Sequence, residues 1–283
     1  MTAVPDQSQV PELRDAVARA CRILAMEGVA DGVLGHVSVR IGDGRMLIRG
    51  RGPGEHGLLF TTIDDIRLVD FSGAGDDPAA GYAMANELPI HGETLRTRPQ
   101  VNAVVHAHPP AATACGIAGL ELRPIVGAYN ILAMRLAADG IPVYPRSVLI
   151  RAPGLARDML ACMGDRPACV LRGHGVTVTG ETLEQAVVRT LNIEALAAVT
   201  LAAAPGGHPA PDIPAEDIAE LPDLGSAFND QSVWRYYCAK AARAGLLQPL
   251  VEPDGKQLTE GRRIMSPAGS QRRQTGPQGN RPG

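Results

Sequence analysis

Aromatic residues are scarce: one tryptophan, five tyrosines and three phenylalanines make 3% of 283 residues. A core without them rests on alanine, valine and leucine, which suits packed α/β layers better than an aromatic-rich β-sandwich. Cysteine is sparse and scattered. Cys21, Cys115, Cys162, Cys169 and Cys238 form no C-x-x-C pair and no even-numbered framework, so reduced core thiols are expected. Excess charge is also lacking: a net charge of −3 and a pI near 6.2 argue against nucleic acid or an anionic membrane as partner. No run approaches the ~18 apolar residues of a membrane span. The start, MTAVPDQSQVPELRD, has neither the basic nor the apolar region of a signal peptide. These absences point to a soluble, cytoplasmic protein.

What is present reads as alternating helices and strands. Leu13, Val17, Cys21 and Leu24 recur at helical spacing, and Gly28 is placed to end that helix. Residues 31–51 read as two strands around a Gly-Asp-Gly turn, and Ile66 to Phe71 gives a further apolar run. Pro89 sits just inside a helix start and Arg98-Pro99 closes that helix. Helices are expected after His108 through Ala118, from Tyr129 to Ala138 and from Leu155 to Met163. Strands are expected at Val148–Ile150 and Ala168–Leu171. Thr182-Leu-Glu-Gln185 has the capping-box pattern and opens a long helix to about Ala204. Residues 205–222 are Pro-rich and linker-like, and a last helix carries Trp234, Tyr236 and Tyr237. The expected organisation is a flexible lead over 1–10, one domain over 11–250 and a disordered tail over 251–283.

The chain is organised around residues 86–111, NELPIHGETLRTRPQVNAVVHAHPPA. Val101 to Val105 reads as a buried strand that delivers His106 and His108. Strand side chains alternate faces, so an H-x-H pair points both imidazoles the same way and makes a good pair of metal ligands. His174 stands between two glycines in LRGHGVTV. Glycine lets the backbone turn tightly and bring one side chain up to a ligand, which makes His174 the candidate third ligand. Three histidines and one open position is a catalytic-metal pattern. Glu87 has an apolar setting of Met84, Ala85, Leu88 and Pro89. Desolvation there is expected to raise its pKa and suit it to proton transfer. A two-histidine, one-glutamate site for Fe(II) stays open beside the three-histidine site. His56, His91 and His208 read as loop or helix-surface residues, although His91 lies one helical turn from Glu87. A cupin also uses H-x-H but needs a glutamate shortly after it, and PPAATACGIAG has none.

NELPIH, then RPQVNAVVHAHPPAATA, then LRGHGVTVTGETLEQAV, in that order, resemble the class II aldolase/adducin family over roughly residues 10–245. The resemblance implies a three-layer α/β/α domain with a central, mostly antiparallel sheet, assembled as a tetramer with sites at subunit interfaces. It matches His106, His108 and His174 to the metal histidines, and Glu87 to the acid/base. Tyr129 is matched to a tyrosine lent by a neighbouring subunit as proton donor. Sugar-phosphate aldolases of that family cradle phosphate with small hydroxyls. In this chain the corresponding segments are VLGHVS, RGRGPGEHG and Ala85-Asn86-Glu87, so those hydroxyls are gone. His36 and Ser38 of the first segment and Arg49 and Arg51 of the second become the candidate substrate-binding residues. Guanidinium forks match carboxylates, so a small carboxylic acid is the expected substrate. GHVS, GRGP, NELPIH and PRSVLIR together resemble the decarboxylase side of the family.

That resemblance implies a lyase dependent on Zn2+, Mn2+ or Fe2+, decarboxylating an aromatic or oxo-carboxylic acid through a metal-stabilised enolate. His36 would add a hydrogen-bond donor, Glu87 or Tyr129 a proton, and Arg51 a grip on the carboxylate. The alternative it implies is a non-haem Fe(II) oxygenase of aminocoumarin antibiotic biosynthesis, acting on a prenylated 4-hydroxyphenylpyruvate or mandelate. An aldolase for a small hydroxy-oxo acid is a further alternative, and an adducin-like structural domain without metal chemistry is the rival outside enzymes.

Overall fold

The computed structural model describes residues 5, 7–75, 81–204 and 208–247. Gln7–Gln9 form a short turn that runs straight into α1 (Val10–Met26), which buries Val17, Cys21 and Leu24 on one face. Gly28, at φ 73°, ends it in the left-handed region that glycine adopts without strain. Two strands, β1 (His36–Ile41) and β2 (Arg45–Arg49), then pair across the Gly-Asp-Gly turn, and β3 (Ile66–Asp70) adds to β2.

Helix α2 (Leu88–Thr97) starts with Pro89 and stops at Arg98. It leads into β4 (Ala103–Ala107), followed at once by α3 (Pro110–Ala118). Next come α4 (Ile131–Leu136), β5 (Val143–Tyr144), α5 (Pro153–Met163), β6 (Ala168–Leu171) and β7 (Gly175–Gly180). The described residues close with α6 (Leu183–Ala203), α7 (Ala215–Glu220) and α8 (Val233–Arg243).

The seven strands lie in the order β3-β2-β1-β4-β7-β6-β5. Every neighbouring pair is antiparallel except β5 with β6, so the sheet is mostly antiparallel, as expected. Alternation along the strands sorts side chains to two faces. Met46, Ile48, Val69, Val104, Cys169 and Leu171 turn to one face and pack with Ile90 and Leu95 of α2 and Met159 and Met163 of α5. Helices α1, α3 and α6 cover the other face. This is the three-layer α/β/α arrangement.

Four readings of the chain change. Val148–Ile150 is not a strand. Pro145 precedes it, and the Ile150 N–H is taken by the Glu87 carboxylate (2.8 Å) instead of a neighbouring strand; the β-pairing falls to Val143–Tyr144. Strand β7 had no place in the expected elements, although Val176 and Val178 alternate with Thr177 and Thr179. The linker-like stretch holds α7, and the helix expected over 129–138 is shorter, capped by Asn130, whose side chain accepts the Ala133 N–H. The expected tail, 251–283, lies outside the described residues.

Helix α6 is long and apolar enough by composition to cross a membrane, contrary to the expectation that no segment is. Here it is a core helix: Leu183, Val187, Leu191 and Ile193 are buried, and it packs on β4, β7, α3 and α4. Thr182 caps it by accepting the Gln185 N–H, while the Gln185 side chain reaches back to the Glu181 N–H. Glu194 of α6 also caps α3. Pro110 has no N–H to satisfy, and the next two, Ala111 and Ala112, both donate to the Glu194 carboxylate at 2.9 Å. That cap pins the β4–α3 junction carrying His106 and His108. Glu194→Ala is expected to cost about 1–3 kcal/mol of stability in urea denaturation; an unchanged midpoint would show the cap to be idle.

Candidate metal centre

His106 shares its face of β4 with Val104, which sits in the α2–α5 core, and His108 follows two residues on. On the neighbouring strands His36 of β1 and Thr177 of β7 lie directly opposite His106. His174 occupies the turn between β6 and β7. Gly173 takes φ 63° there, and a side chain on Gly175 would sit 2.2 Å from the Ala107 carbonyl oxygen. Both flanking glycines are thus required: one for the turn, the other for the close approach of β7 to the end of β4.

The three rings form a near-equilateral triangle. Ring centres are 5.0 Å apart for His106–His108, 4.9 Å for His106–His174 and 4.9 Å for His108–His174. Glu87, just before α2, closes the set. Its Oε1 accepts the Ile150 N–H, and its Oε2 lies 3.3 Å from both His106 Nε2 and His174 Nε2. One ligand atom from each of Glu87, His106, His108 and His174 falls within 4.8 Å of all the others. His106 Nε2 and His108 Nε2 stand 3.0 Å apart, and His174 Nε2 is buried without an aligned hydrogen-bond partner. Ring nitrogens turned on one another around a carboxylate oxygen fit a divalent cation better than they fit each other. Three imidazoles with one carboxylate suit zinc, manganese or iron(II).

The charge states agree with a ligand set. Burial lowers the pKa of His106, although Glu87 pulls the other way, and burial brings His108 down to about 4. Both rings are therefore neutral, as ligands must be. For Glu87 the sequence-based expectation is corrected. Burial does push its pKa up, but the His106 and His174 ring nitrogens beside its Oε2 outweigh that, and the carboxyl is held well below the usual carboxylate range.

A second group of residues backs this centre. His91 of α2 is wholly buried, not a helix-surface residue. Its Nε2 lies 2.6 Å from His36 Nδ1 and its Nδ1 2.6 Å from Ser38 Oγ. His36 stacks on His106 with ring centres 5.0 Å apart. Ser38, expected at the substrate, is sealed from solvent and spent on His91. The signal for His91 was the one-turn spacing from Glu87, which alone does not tell a buried face from an exposed one.

The arginines part company. Ile48 faces the histidine side, so Arg49 faces the other, where its guanidinium binds the Glu55 carboxylate (2.5 Å) and Thr61 Oγ1 (2.9 Å). Its expected substrate role gives way to a structural one. Arg51, past the end of β2, is half-buried and reaches the Val33 carbonyl at 3.4 Å, close to where β1 starts with His36. Tyr129 is 80% exposed and is not joined to the cluster within this chain. His56 and His208 are exposed, as expected.

Comparison with known proteins places these features. A family model described as the Class II Aldolase and Adducin N-terminal domain matches residues 15–201. A 3,4-dihydroxyphthalate decarboxylase of Arthrobacter keyseri is 52% identical over 237 residues, covering 82% of this chain and 94% of the relative. Another, of Rhodococcus jostii (strain RHA1), is 42% identical over 240 residues, covering 84% and 99%. Among solved structures, an aldolase II superfamily protein of Pseudomonas syringae superposes with a TM-score of 0.71 at 21% identity, covering 84% of this chain and 95% of that one.

The lowered imidazole pKa values have a consequence for the metal-free protein. His108 titrates near 4 and His91 near 3 when folded, against 6.5 when unfolded. Between those limits the unfolded chain binds more protons, so stability rises with pH. The urea midpoint of metal-free protein is expected to fall steadily as pH drops from about 6.5 toward 4. A midpoint flat across that window would contradict the buried, neutral cluster.

Proposed function

The chain belongs to the class II aldolase and adducin family, and we propose that it decarboxylates a dihydroxyphthalate-type acid. The substrate class is an aromatic ring with two adjacent carboxylates and adjacent hydroxyls. The chain is a metal-dependent carbon–carbon lyase. The observation that carries the reading is the convergence of Glu87, His106, His108 and His174, in a chain whose relatives at 42–52% identity are 3,4-dihydroxyphthalate decarboxylases.

The residues divide the work by their charge states. His106, His108 and His174 would hold a zinc, manganese or iron(II) ion through their ring nitrogens, and such an ion would supply Lewis-acid stabilisation for negative charge left on the ring as CO2 departs. Breaking the ring-to-carboxyl bond leaves its electron pair on the ring carbon, and one proton must replace the carboxyl group there. Glu87, fixed by the Ile150 N–H, is placed to take a proton from a substrate hydroxyl and return it to that carbon; the contacts that hold its pKa down are with His106 and His174 ring nitrogens that an ion would take up. His36 beside His106 offers a ring N–H to a substrate oxygen. Arg51 is placed to orient a carboxylate at the rim. Exposed Tyr129 serves as proton donor to the site of a neighbouring copy in a homotetramer. One catalytic domain over residues 11–250 works in the cytoplasm in this reading.

The test is a combined metal and gas assay. Protein purified without oxygen is analysed for metal and mixed with 3,4-dihydroxyphthalate in the absence of O2. The expected result is one CO2 released per substrate consumed, with turnover lost on chelation and restored by divalent metal. Iron-dependent turnover that requires O2 would replace this reading with the oxidative one, and cleavage of a hydroxy-oxo acid without CO2 would favour the aldolase.

A further inference from the structure

Behind the metal centre, His91 and Ser38, which the reaction described above does not use, form a hydrogen-bonded line with His36. Ser38 Oγ is 2.6 Å from His91 Nδ1, and His91 Nε2 is 2.6 Å from His36 Nδ1. Ser38 and His91 are wholly buried, and His36 is 5% exposed. With one proton on each imidazole, the line can be drawn in only two directions.

In the first, the Ser38 hydroxyl donates to His91 Nδ1, His91 Nε2–H donates to His36 Nδ1, and His36 carries its proton on Nε2. In the second, His36 Nδ1–H donates to His91 Nε2, and His91 Nδ1–H donates to Ser38. The Ser38 hydroxyl proton then has nowhere to go, because His91 is its only hydrogen-bond partner among the described residues. A buried donor without an acceptor is penalised by desolvation, whereas the first direction satisfies both sealed donors, Ser38 Oγ–H and His91 Nε2–H, and leaves only the His36 Nε2–H, which is not sealed. Ser38 therefore sets the direction.

The consequence appears at the other end. His36 stacks on His106 with planes 27° apart, and the Glu87 carboxylate is among the charges that act on it. With Nδ1 engaged by His91, its Nε2 has no partner among the described residues, and it is not one of the sealed, unsatisfied atoms. That nitrogen is free to meet a ligand. We infer that Ser38 and His91 are positioning residues that hold His36 as its neutral Nε2–H tautomer, a fixed hydrogen-bond donor to a substrate oxygen beside the metal centre. The identity of that oxygen, a carboxylate or phenolate of a dihydroxyphthalate-type acid, rests on the function proposed above; the tautomer does not.

Neutron diffraction from a deuterium-exchanged crystal of the full-length protein reads the line directly. Deuterium is expected on His91 Nε2 and His36 Nε2, with the Ser38 deuteron turned to His91 Nδ1; deuterium on His36 Nδ1 would overturn the inference. Ser38→Ala is the matching variant. Turnover of 3,4-dihydroxyphthalate is expected to fall roughly ten-fold with metal content unchanged. Full turnover in a folded variant would overturn the inference as well. If the variant does not fold, the neutron result decides. Wild-type protein inactive on that acid would sink the proposed function and leave the tautomer to be judged on deuterium positions alone.

Discussion

The structure depends on the convergence of three imidazoles and one carboxylate on a common point, His106 and Glu87 buried and His108 and His174 half-buried. Such groups are poor core material: an ionised carboxylate out of water costs several kcal/mol unless it is paired. Here the cost is offset locally. Glu87 has the Ile150 N–H on one oxygen and two ring nitrogens near the other, while His106 and His108 avoid the penalty by staying neutral. What remains is a set of nitrogen and oxygen donors with one another for neighbours, an arrangement that a cation completes.

Sheet alternation carries this cluster to its place. The residues that meet across β1, β4 and β7 at the level of His106 are His36 and Thr177, and one level deeper they are Ser38, Val104 and Thr179. The polar rank of the histidine face is therefore continuous across the three central strands, and α2 lies over it with Glu87 and His91 one turn apart. The opposite face runs differently. Arg49 goes there by the same period of two and becomes part of the support around Thr61 and Glu55. A one-residue step along β2 thus separates the core on the histidine face from a strut behind the sheet.

Much of this was legible in the sequence. The H-x-H pair and the glycine-flanked His174 announce themselves because strand alternation and tight turns are local rules. The capped start of α6, the Gly-Asp-Gly hairpin and the proline-bounded α2 are local too. What escaped depended on distant partners. Ile150 looked like part of a strand because its neighbours are β-branched and apolar, yet its N–H belongs to Glu87, 63 residues away. The pKa of Glu87 was misjudged because an apolar local setting predicts desolvation, whereas the imidazoles that outweigh it come from β4 and the β6–β7 turn. His91 and Ser38 were seen separately, and only the pairing of β1 with β4 beneath α2 brings them together. The family resemblance supplied the layer order, which no local pattern contains.

The four-donor centre is the claim on which the rest hangs, and X-ray absorption at the metal edge of the zinc-loaded protein tests it most directly. The account predicts one zinc per chain, a first shell of nitrogen and oxygen without sulfur, and the outer-shell scattering of three imidazoles, reduced to two in His174→Ala. A shell without imidazole scattering, or one unchanged in His174→Ala, would contradict it.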